Sequence, residues 1–444
     1  MGIITLGQAA AWCGGYVAPE YENLTFFGAN NDTRRLLPGQ LFVALEGVRD
    51  GHDFIGSALE KGAVAALCKR APEGVPAIIV DDPRTALGKI AAGQRQRLGM
   101  KVVGVTGSVG KSTTKEMIAT VLEGTYHVSK TPANFNNDLG LPMAILAMPD
   151  TTQVAVLEMG MNHFREIAYL SKIARPDVGV IINVGTMHIE HLGSREGILK
   201  AKLEILEGMA EDAPLFVNGD NDLLGAWAEC GRALCFGEGD HNTVRATDIV
   251  ETADGIGYTA NYQDLAFPIR LPLEGMHYVS DSLAAVSVGL QMGVRAEAIA
   301  ARLAAFRTME GRQEIFETKG VTIIKDCYNA GPESMAAALA VLSKRPGRHI
   351  AVLGDMLELG ECAPAEHLRV GQLAAQNADL VLAYGPMAEY VSQGAGGKCE
   401  IFRDRAIMAQ RLKELVLPGD VLLFKGSHGM HMELVLEGFL KEET

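Results

Sequence analysis

The chain is poor in several features that mark whole classes of protein. Its seven cysteines are an odd number, scattered at Cys13, Cys68, Cys230, Cys235, Cys327, Cys362 and Cys399, with no CxxC pair. A disulfide framework or a zinc ribbon is thereby excluded, and a reducing compartment is expected. Positive charge is also short. Forty Lys plus Arg against 54 Asp plus Glu leave a formal net charge of −14, which argues against broad nucleic-acid binding. Such a charge keeps copies of a soluble protein apart. No apolar run reaches the roughly 18 residues that span a bilayer. Residues 1–19 contain no Lys or Arg, so the charged head of a signal peptide is missing. Repeats and low-complexity segments are absent. The expectation is a cytoplasmic, monomeric protein without membrane insertion or a nucleic-acid partner.

What is present is ordinary globular material: 48% hydrophobic and 21% charged residues over 444 positions. At roughly 100–200 residues per domain, that length predicts two to four domains. Residues 1–98 mix short strand-like runs (41–45, 77–80) with Gly, Pro and Asp turns. Residues 99–309 open on a strand at 101–105 and alternate strand and helix patterns. Residues 310–444 do the same, with strands at 321–325, 349–353, 380–383 and 421–424. Such alternation predicts an α/β protein of parallel sheets covered on both faces. In parallel sheets, ligands sit beyond the carboxyl ends of the strands. The clusters that follow the strands, including residues 106–111, Glu158, 183–188, 326–329, 354–355 and 425–427, therefore predict a cleft between the second and third domains.

The sharpest local signal is Gly104-Val105-Thr106-Gly107-Ser108-Val109-Gly110-Lys111-Ser112-Thr113. A strand precedes it, and a helical run with Met117, Ile118, Val121 and Leu122 on one face follows. Glycines let backbone N–H groups turn toward phosphate oxygens, and a helix N-terminus adds partial positive charge. Lys111 would meet the β and γ phosphates of a nucleotide, and Ser112 would hold Mg²⁺. The first Gly of the usual eight-residue pattern is Val105 here, bracketed by Gly104 and Gly107, so the loop is a spacing variant. By itself the loop does not separate a kinase, a switch, an ATPase and a ligase.

Two further strands end in chemistry. Residues 154–157 lead into Glu158, and residues 178–183 are followed by His188, Glu190 and His191. Hard Mg²⁺ prefers oxygen ligands and keeps several waters, so Glu158 suits it, and a single imidazole from His188 is tolerable beside phosphates. The plainer alternatives are a helix-capping or surface acid and a buried, hydrogen-bonded histidine. His163, His191 and His367 are best read as structural. Lys200-Ala201-Lys202-Leu203-Glu204 reads from its pattern as a solvated helix face with a Lys200–Glu204 pairing.

Taken together, the motifs resemble the Mur ligase family of cell-wall peptide synthetases over essentially the whole chain. The resemblance rests on the loop at 106–112, on Asn134-Phe135-Asn136-Asn137-Asp138-Leu139-Gly140-Leu141-Pro142, on Glu158-Met159-Gly160-Met161-Asn162 and on Asn183-Val184-Gly185-Thr186-Met187-His188. It continues through Asp326-Cys327-Tyr328-Asn329-Ala330, Leu353-Gly354-Asp355-Met356-Leu357-Glu358-Leu359-Gly360 and Lys425-Gly426-Ser427. Residues 31–34, 38–45 and 51–54 look like that family's nucleotide-sugar domain. The resemblance implies three domains: a small N-terminal α/β domain for a UDP-muramoyl substrate, a central P-loop-type ATP domain and a C-terminal Rossmann-like domain. The motif combination is most similar to the member that joins D-alanyl-D-alanine to UDP-N-acetylmuramoyl-tripeptide, with ATP and Mg²⁺.

Carried over residue by residue, the resemblance implies that Gly107, Ser108, Val109, Gly110, Lys111, Ser112, Thr113, His277, Arg312 and Asp326 bind ATP. Ser112, Glu158, His188 and Lys202, the last as a carbamate, would hold metal. Asp32, Thr33 and Arg34 would meet the uridine nucleotide, with Asn134, Asn136, Asn137, Tyr328 and Asn329 on the substrates. Lys111, Lys202 and His188 would carry the catalysis. Departures from the family pattern fall at Tyr278 and Asp281, where it has asparagines, and at Gly331 and His428. They bear on the adenine contacts and the second-substrate pocket. Rival readings are another amide ligase on the same scaffold (third-residue-adding or polyglutamate type) or a nucleotide-dependent switch that does not ligate.

Overall fold

The computed structural model describes residues 2–229, 231–252 and 254–441 as a mixed α/β structure built on three main sheets. The central sheet has nine strands. Strand Lys101–Thr106 runs parallel between Val154–Glu158 and Val178–Ile181. Alternate residues of these strands face opposite sides, and both sides are apolar. Val102, Ala155 and Leu157 enter one core, while Val103, Val105, Val154 and Val156 enter the other. That two-faced burial is what a parallel sheet requires, and it explains the near-continuous Val-rich runs.

The strands read from sequence are found, with ends that differ by a residue or two. The strand expected at 178–183 stops at Ile181. One feature departs from an all-parallel reading: Val244–Thr252, Gly255–Tyr262 and Leu265–Leu271 extend the central sheet antiparallel to one another. Their connections are too short for the crossover helix that a parallel pair needs, so hairpins are the only closure available.

The C-terminal sheet has six strands, in the order Glu314–Thr318, Val321–Asp326, Val421–Lys425, His349–Gly354, Leu380–Tyr384 and Cys399–Phe402. Only the first is antiparallel to its neighbour. The N-terminal sheet has five short strands, from Tyr16–Val17 to Ala77–Ile79. Phe42, Ile55 and Ala66 belong to an apolar cluster of its own, but a second cluster does not close on itself. Ile4, Leu6, Phe26, Leu41, Leu67 and Ile78 share one apolar cluster with Leu141, Ile145, Leu157 and Ile167 of the central region. Helix Pro83–Leu98 forms the bridge and buries Leu87, Ile90 and Ala91 there.

Among the described residues no helix is long and apolar enough to cross a membrane. Cys13, Cys68, Cys235, Cys327, Cys362 and Cys399 are free thiols, and Cys230 lies outside the described residues.

Candidate active site

Strand register assembles the site. Glu158 pairs with Val105, and Ile181 with Thr106, so three parallel strands end side by side. Beyond Thr106 the chain turns through the Gly-rich loop into helix Lys111–Leu122, whose N-terminal position, Gly110, has φ +82°. Only glycine takes that conformation freely. No side chain caps this helix, which leaves its N-terminal amides available to an anion. Met117, Ile118, Val121 and Leu122 are fully buried on the expected face.

Asn183 braces the loop: its Oδ1 accepts from Ser108 N and Val109 N, both at 2.9 Å, and its Nδ2 donates to Val109 O at 3.0 Å. Gly185 N donates to Ser108 Oγ at 2.9 Å. Lys111 Nζ donates to Gly107 O and Ser108 O at 2.8 and 3.0 Å, and burial lowers its pKa.

A cavity of about 660 Å³ opens in front of this loop. Ser108, Val109, Gly110, Lys111, Ser112 and Thr113 line it from the central region, together with Asn134, Asn136, Asn137, Glu158, His188 and His277. Arg312, Asp326, Tyr328, Asn329, Glu333 and Lys425 line it from the C-terminal side.

Glu158 is 2% exposed, and its Oε1 accepts from Asn136 Nδ2 at 2.8 Å. Its Oε2 is buried without a partner. His188 Nδ1 lies 2.6 Å from Glu358 Oε2. Both residues sit in the left-handed region, at φ +65° and +63°. Burial lowers the His188 pKa against the pull of Glu358. Asn137 Oδ1 accepts from Gly140 N at 2.8 Å and so holds the start of helix Gly140–Leu146. Asn134 is an exposed member of the same rim.

The C-terminal wall comes from the register of Val321–Asp326 on Val421–Lys425, which sets Asp326 beside Lys425. Lys425 is 2% exposed; its Nζ donates to Asp326 Oδ2 at 2.5 Å and to Asn329 O at 3.1 Å. Arg312 reaches across the cleft. One of its nitrogens donates to Ser112 Oγ at 2.8 Å, and its guanidinium stacks 3.8 Å from the Tyr328 ring centre. His277 is packed against the Tyr278 ring at 4.1 Å, and burial pushes its pKa down to about 4, so the ring is neutral at pH 7.

Lys202 is 1% exposed on helix Arg195–Leu203. Burial, with a smaller contribution from the Lys111 charge, lowers its pKa well below the ordinary lysine value. The solvated-face reading is therefore wrong. Glu204 is buried too, and accepts from Arg165 N and Ala168 N at 2.8 and 3.2 Å rather than meeting Lys200. The pattern misleads because the whole turn packs against helix Glu166–Ala174, a tertiary contact with no local signature.

The read positions do not all converge. Lys202 is not among the cavity's lining residues, nor are Asp32, Thr33 and Arg34. Asp32 and Arg34 form an exposed pair at 2.7 Å just past strand Ala29–Asn30, and that pairing holds the Asp32 carboxyl down at about 2. Four residues with a clear place in the site received no role from the sequence: Asn183, Asp281, Glu333 and Lys425. Asn183 and Lys425 were visible as polar strand ends. Asp281 showed only as a departure from the family pattern, and Glu333 had no signal, because each sits inside a helix and reaches the site through packing.

Three family models match the chain in order: the Mur ligase family catalytic domain over residues 28–95, the Mur ligase middle domain over 105–289 and the Mur ligase glutamate ligase domain over 311–428. The chain belongs to the Mur ligase family. It is 40% identical over 437 residues to the UDP-N-acetylmuramoyl-tripeptide--D-alanyl-D-alanine ligase of Bacillus subtilis, covering 95% of each. The MurF crystal structure from Acinetobacter baumannii superposes with a TM-score of 0.93 at 32% identity over the whole of both chains. MurF from Thermotoga maritima in complex with ADP gives a TM-score of 0.84 at 33% identity, covering 93% of this chain and 97% of that one. As a Mur ligase the chain is a carbon–nitrogen ligase that binds a nucleotide.

Proposed function

We propose that this ligase joins D-alanyl-D-alanine to UDP-N-acetylmuramoyl-tripeptide with ATP. The observation that carries the proposal is the single cavity onto which the phosphate loop, Glu158 and the C-terminal wall of Arg312, Asp326 and Lys425 all open. The tripeptide carboxylate attacks the γ-phosphorus of ATP, giving an acyl phosphate and ADP. The dipeptide amine then attacks the acyl carbon, phosphate leaves, and the nitrogen loses a proton. Neither step needs a protein nucleophile. Both need three reactants held in line and negative charge spread, which is where enzymes gain most in phosphoryl transfer.

Lys111 and Arg312 supply that charge from opposite sides of the cleft. The loop amides braced by Asn183 supply fixed dipoles. The buried, unpartnered Glu158 Oε2 suits a hard cation, and Mg²⁺ is commonly held by one or two carboxylates plus phosphates. Glu158, Ser112 and His188 would hold it, and when bound it neutralises phosphate charge. Lys202 fits a carbamate. Carbamylation takes a neutral amine, the form that burial favours, and the anionic product would turn repulsion from Lys111 into attraction. Asp32, Thr33 and Arg34 would take the uridine end, on the N-terminal module. The unpaired thiols among the described residues fit the cytoplasm.

The decisive measurement is phosphate release from ATP with each substrate omitted in turn. Release is expected only with both the UDP-tripeptide and the dipeptide present. ATP turnover indifferent to both would leave a nucleotide switch instead.

A further inference from the structure

Among the described residues, two carboxylate oxygens lining the cavity are buried without a hydrogen-bond partner: Oε2 of Glu158 and Oε2 of Glu333. The other acids on its wall are engaged. Asp138 pairs with Arg84, Glu166 accepts from the amides of Asn162 and His163, Asp281 accepts from Thr114 Oγ1, and Asp326 meets Lys425. A buried charge without a partner is costly, so each orphan oxygen marks a place where a cation is expected. The ligation chemistry brings two kinds of cation, a metal accompanying the phosphates and the ammonium of the incoming amine.

The geometry separates the two. Glu158 stands in register with Val105 at the foot of the phosphate loop, and its charge acts on Lys111. Glu333 comes from the opposite wall, in the first turn of helix Pro332–Ser343. Its Oε1 accepts from Thr186 N and Thr186 Oγ1 at 3.0 and 3.2 Å, on the loop that leads to His188. Its carboxylate also lies flat on Gly185, where an added Cβ would come within 2.6 Å of Oε1 and 3.1 Å of Oε2. The second oxygen is therefore fixed in position rather than free to swing. Arg195 feels the charge of Glu333, but its own donors go to Asp222 and Val184 O.

We infer that Glu333 is the receptor for the α-ammonium group of the dipeptide, orienting that nitrogen, which gives one proton to water and then attacks the acyl carbon as the free amine. An ammonium carries three donors and a full charge, which one carboxylate oxygen already fixed in place can recognise. The inference rests on the ligation reading of the same cavity.

Glu333→Gln tests it. Glutamine keeps an acceptor for Thr186 and replaces the orphan oxygen with an uncharged NH₂. The KM for D-alanyl-D-alanine is expected to rise about ten- to hundredfold, the loss of one hydrogen bond to a charged group, with KM for ATP and for the UDP-tripeptide unchanged. A dipeptide analogue with hydroxyl in place of the amine, assayed as an inhibitor, should bind the wild type and E333Q equally. The assignment is overturned if E333Q leaves the dipeptide KM within about twofold of wild type. It is also overturned if the analogue weakens in parallel with the dipeptide, because Glu333 would then only be clamping the two walls together. Dipeptide-dependent phosphate release by the wild type in the same assay reports on the ligation reading itself, so an active wild type with an indifferent variant condemns the Glu333 assignment alone.

Discussion

Burial behind the phosphate loop pushes the Asp281 carboxyl up to about 7, against weaker pulls from the Thr114 hydroxyl and the Arg312 charge. A carboxyl raised in this way from 3.8 keeps its proton in the folded chain while the unfolded chain releases it. Folding is then progressively penalised between about pH 4 and pH 7, and the penalty stays constant above that range. Asp281→Asn removes the ionisable group and keeps an acceptor for Thr114. At about 1.4 kcal/mol per pKa unit, it should stabilise the chain by about 4 kcal/mol at pH 8 but only about 1.5 kcal/mol at pH 5. Chemical denaturation at the two pH values checks this, and an equal gain at both would show that Asp281 does not titrate on folding. Lys202 provides a second test at this scale. Lys202→Ala should lose at least about a hundredfold in turnover, the range seen when one charge-stabilising group is removed. Acetate should restore part of it by standing in for the carbamate. A surface lysine would leave turnover intact, and full activity of the alanine variant without acetate would eliminate the carbamate.

The Gly-rich loop and helix Lys111–Leu122 work as one element, and Gly110 is the joint between them. Its φ of +82° suits glycine, and an added Cβ would lie 2.6 Å from Asp281 Oδ1. Gly110→Ala therefore meets strain and a clash together. It should cost about 1–2 kcal/mol in stability from the left-handed backbone alone and weaken ADP binding at least about tenfold by tilting the helix N-terminus away from the phosphates. Calorimetric titration of ADP measures the second effect, and unchanged affinity would mean that the loop does not hold the phosphates through this joint. Asn183 serves the same element from outside, since one side chain fixes three of the loop's backbone groups.

On the scale of the whole molecule, contacts across the cleft hold the C-terminal wall against the central region. Arg312 bonds Ser112, Glu333 bonds Thr186, Glu358 approaches His188, and Arg345 pairs with Glu274. The N-terminal module is joined differently, through a shared apolar core. Cutting residues 1–98 away would expose that core, so its role is better tested in the full chain. The Arg34 side chain is 84% exposed and pairs with Asp32, an arrangement that adds little stability. Arg34→Ala should leave the melting temperature within about 1 °C while raising KM for the UDP-tripeptide about tenfold and sparing KM for ATP. An unchanged UDP-substrate KM would move the uridine site elsewhere.

Much of the fold and half of the site could be read in advance, because the signals were local. The phosphate loop works through backbone amides that follow directly from glycine spacing between a strand and a helix. Glu158 and Asp326 stand at strand ends, where a parallel sheet gathers its ligands. Periodicity likewise carried the strands Lys101–Thr106 and Val421–Lys425, whose two-faced burial needs unbroken apolar runs. The remainder depended on which surfaces meet. Lys202 and Glu204 look like a solvated turn until packing buries both, Glu204 against the start of helix Glu166–Ala174. Glu333 looks like an ordinary first-turn acid until its helix docks on Gly185. Asp281 looks like a polar substitution until the phosphate loop closes over it. In each case the charge state and the partner are set by desolvation, and desolvation is a property of packing between segments far apart in the chain.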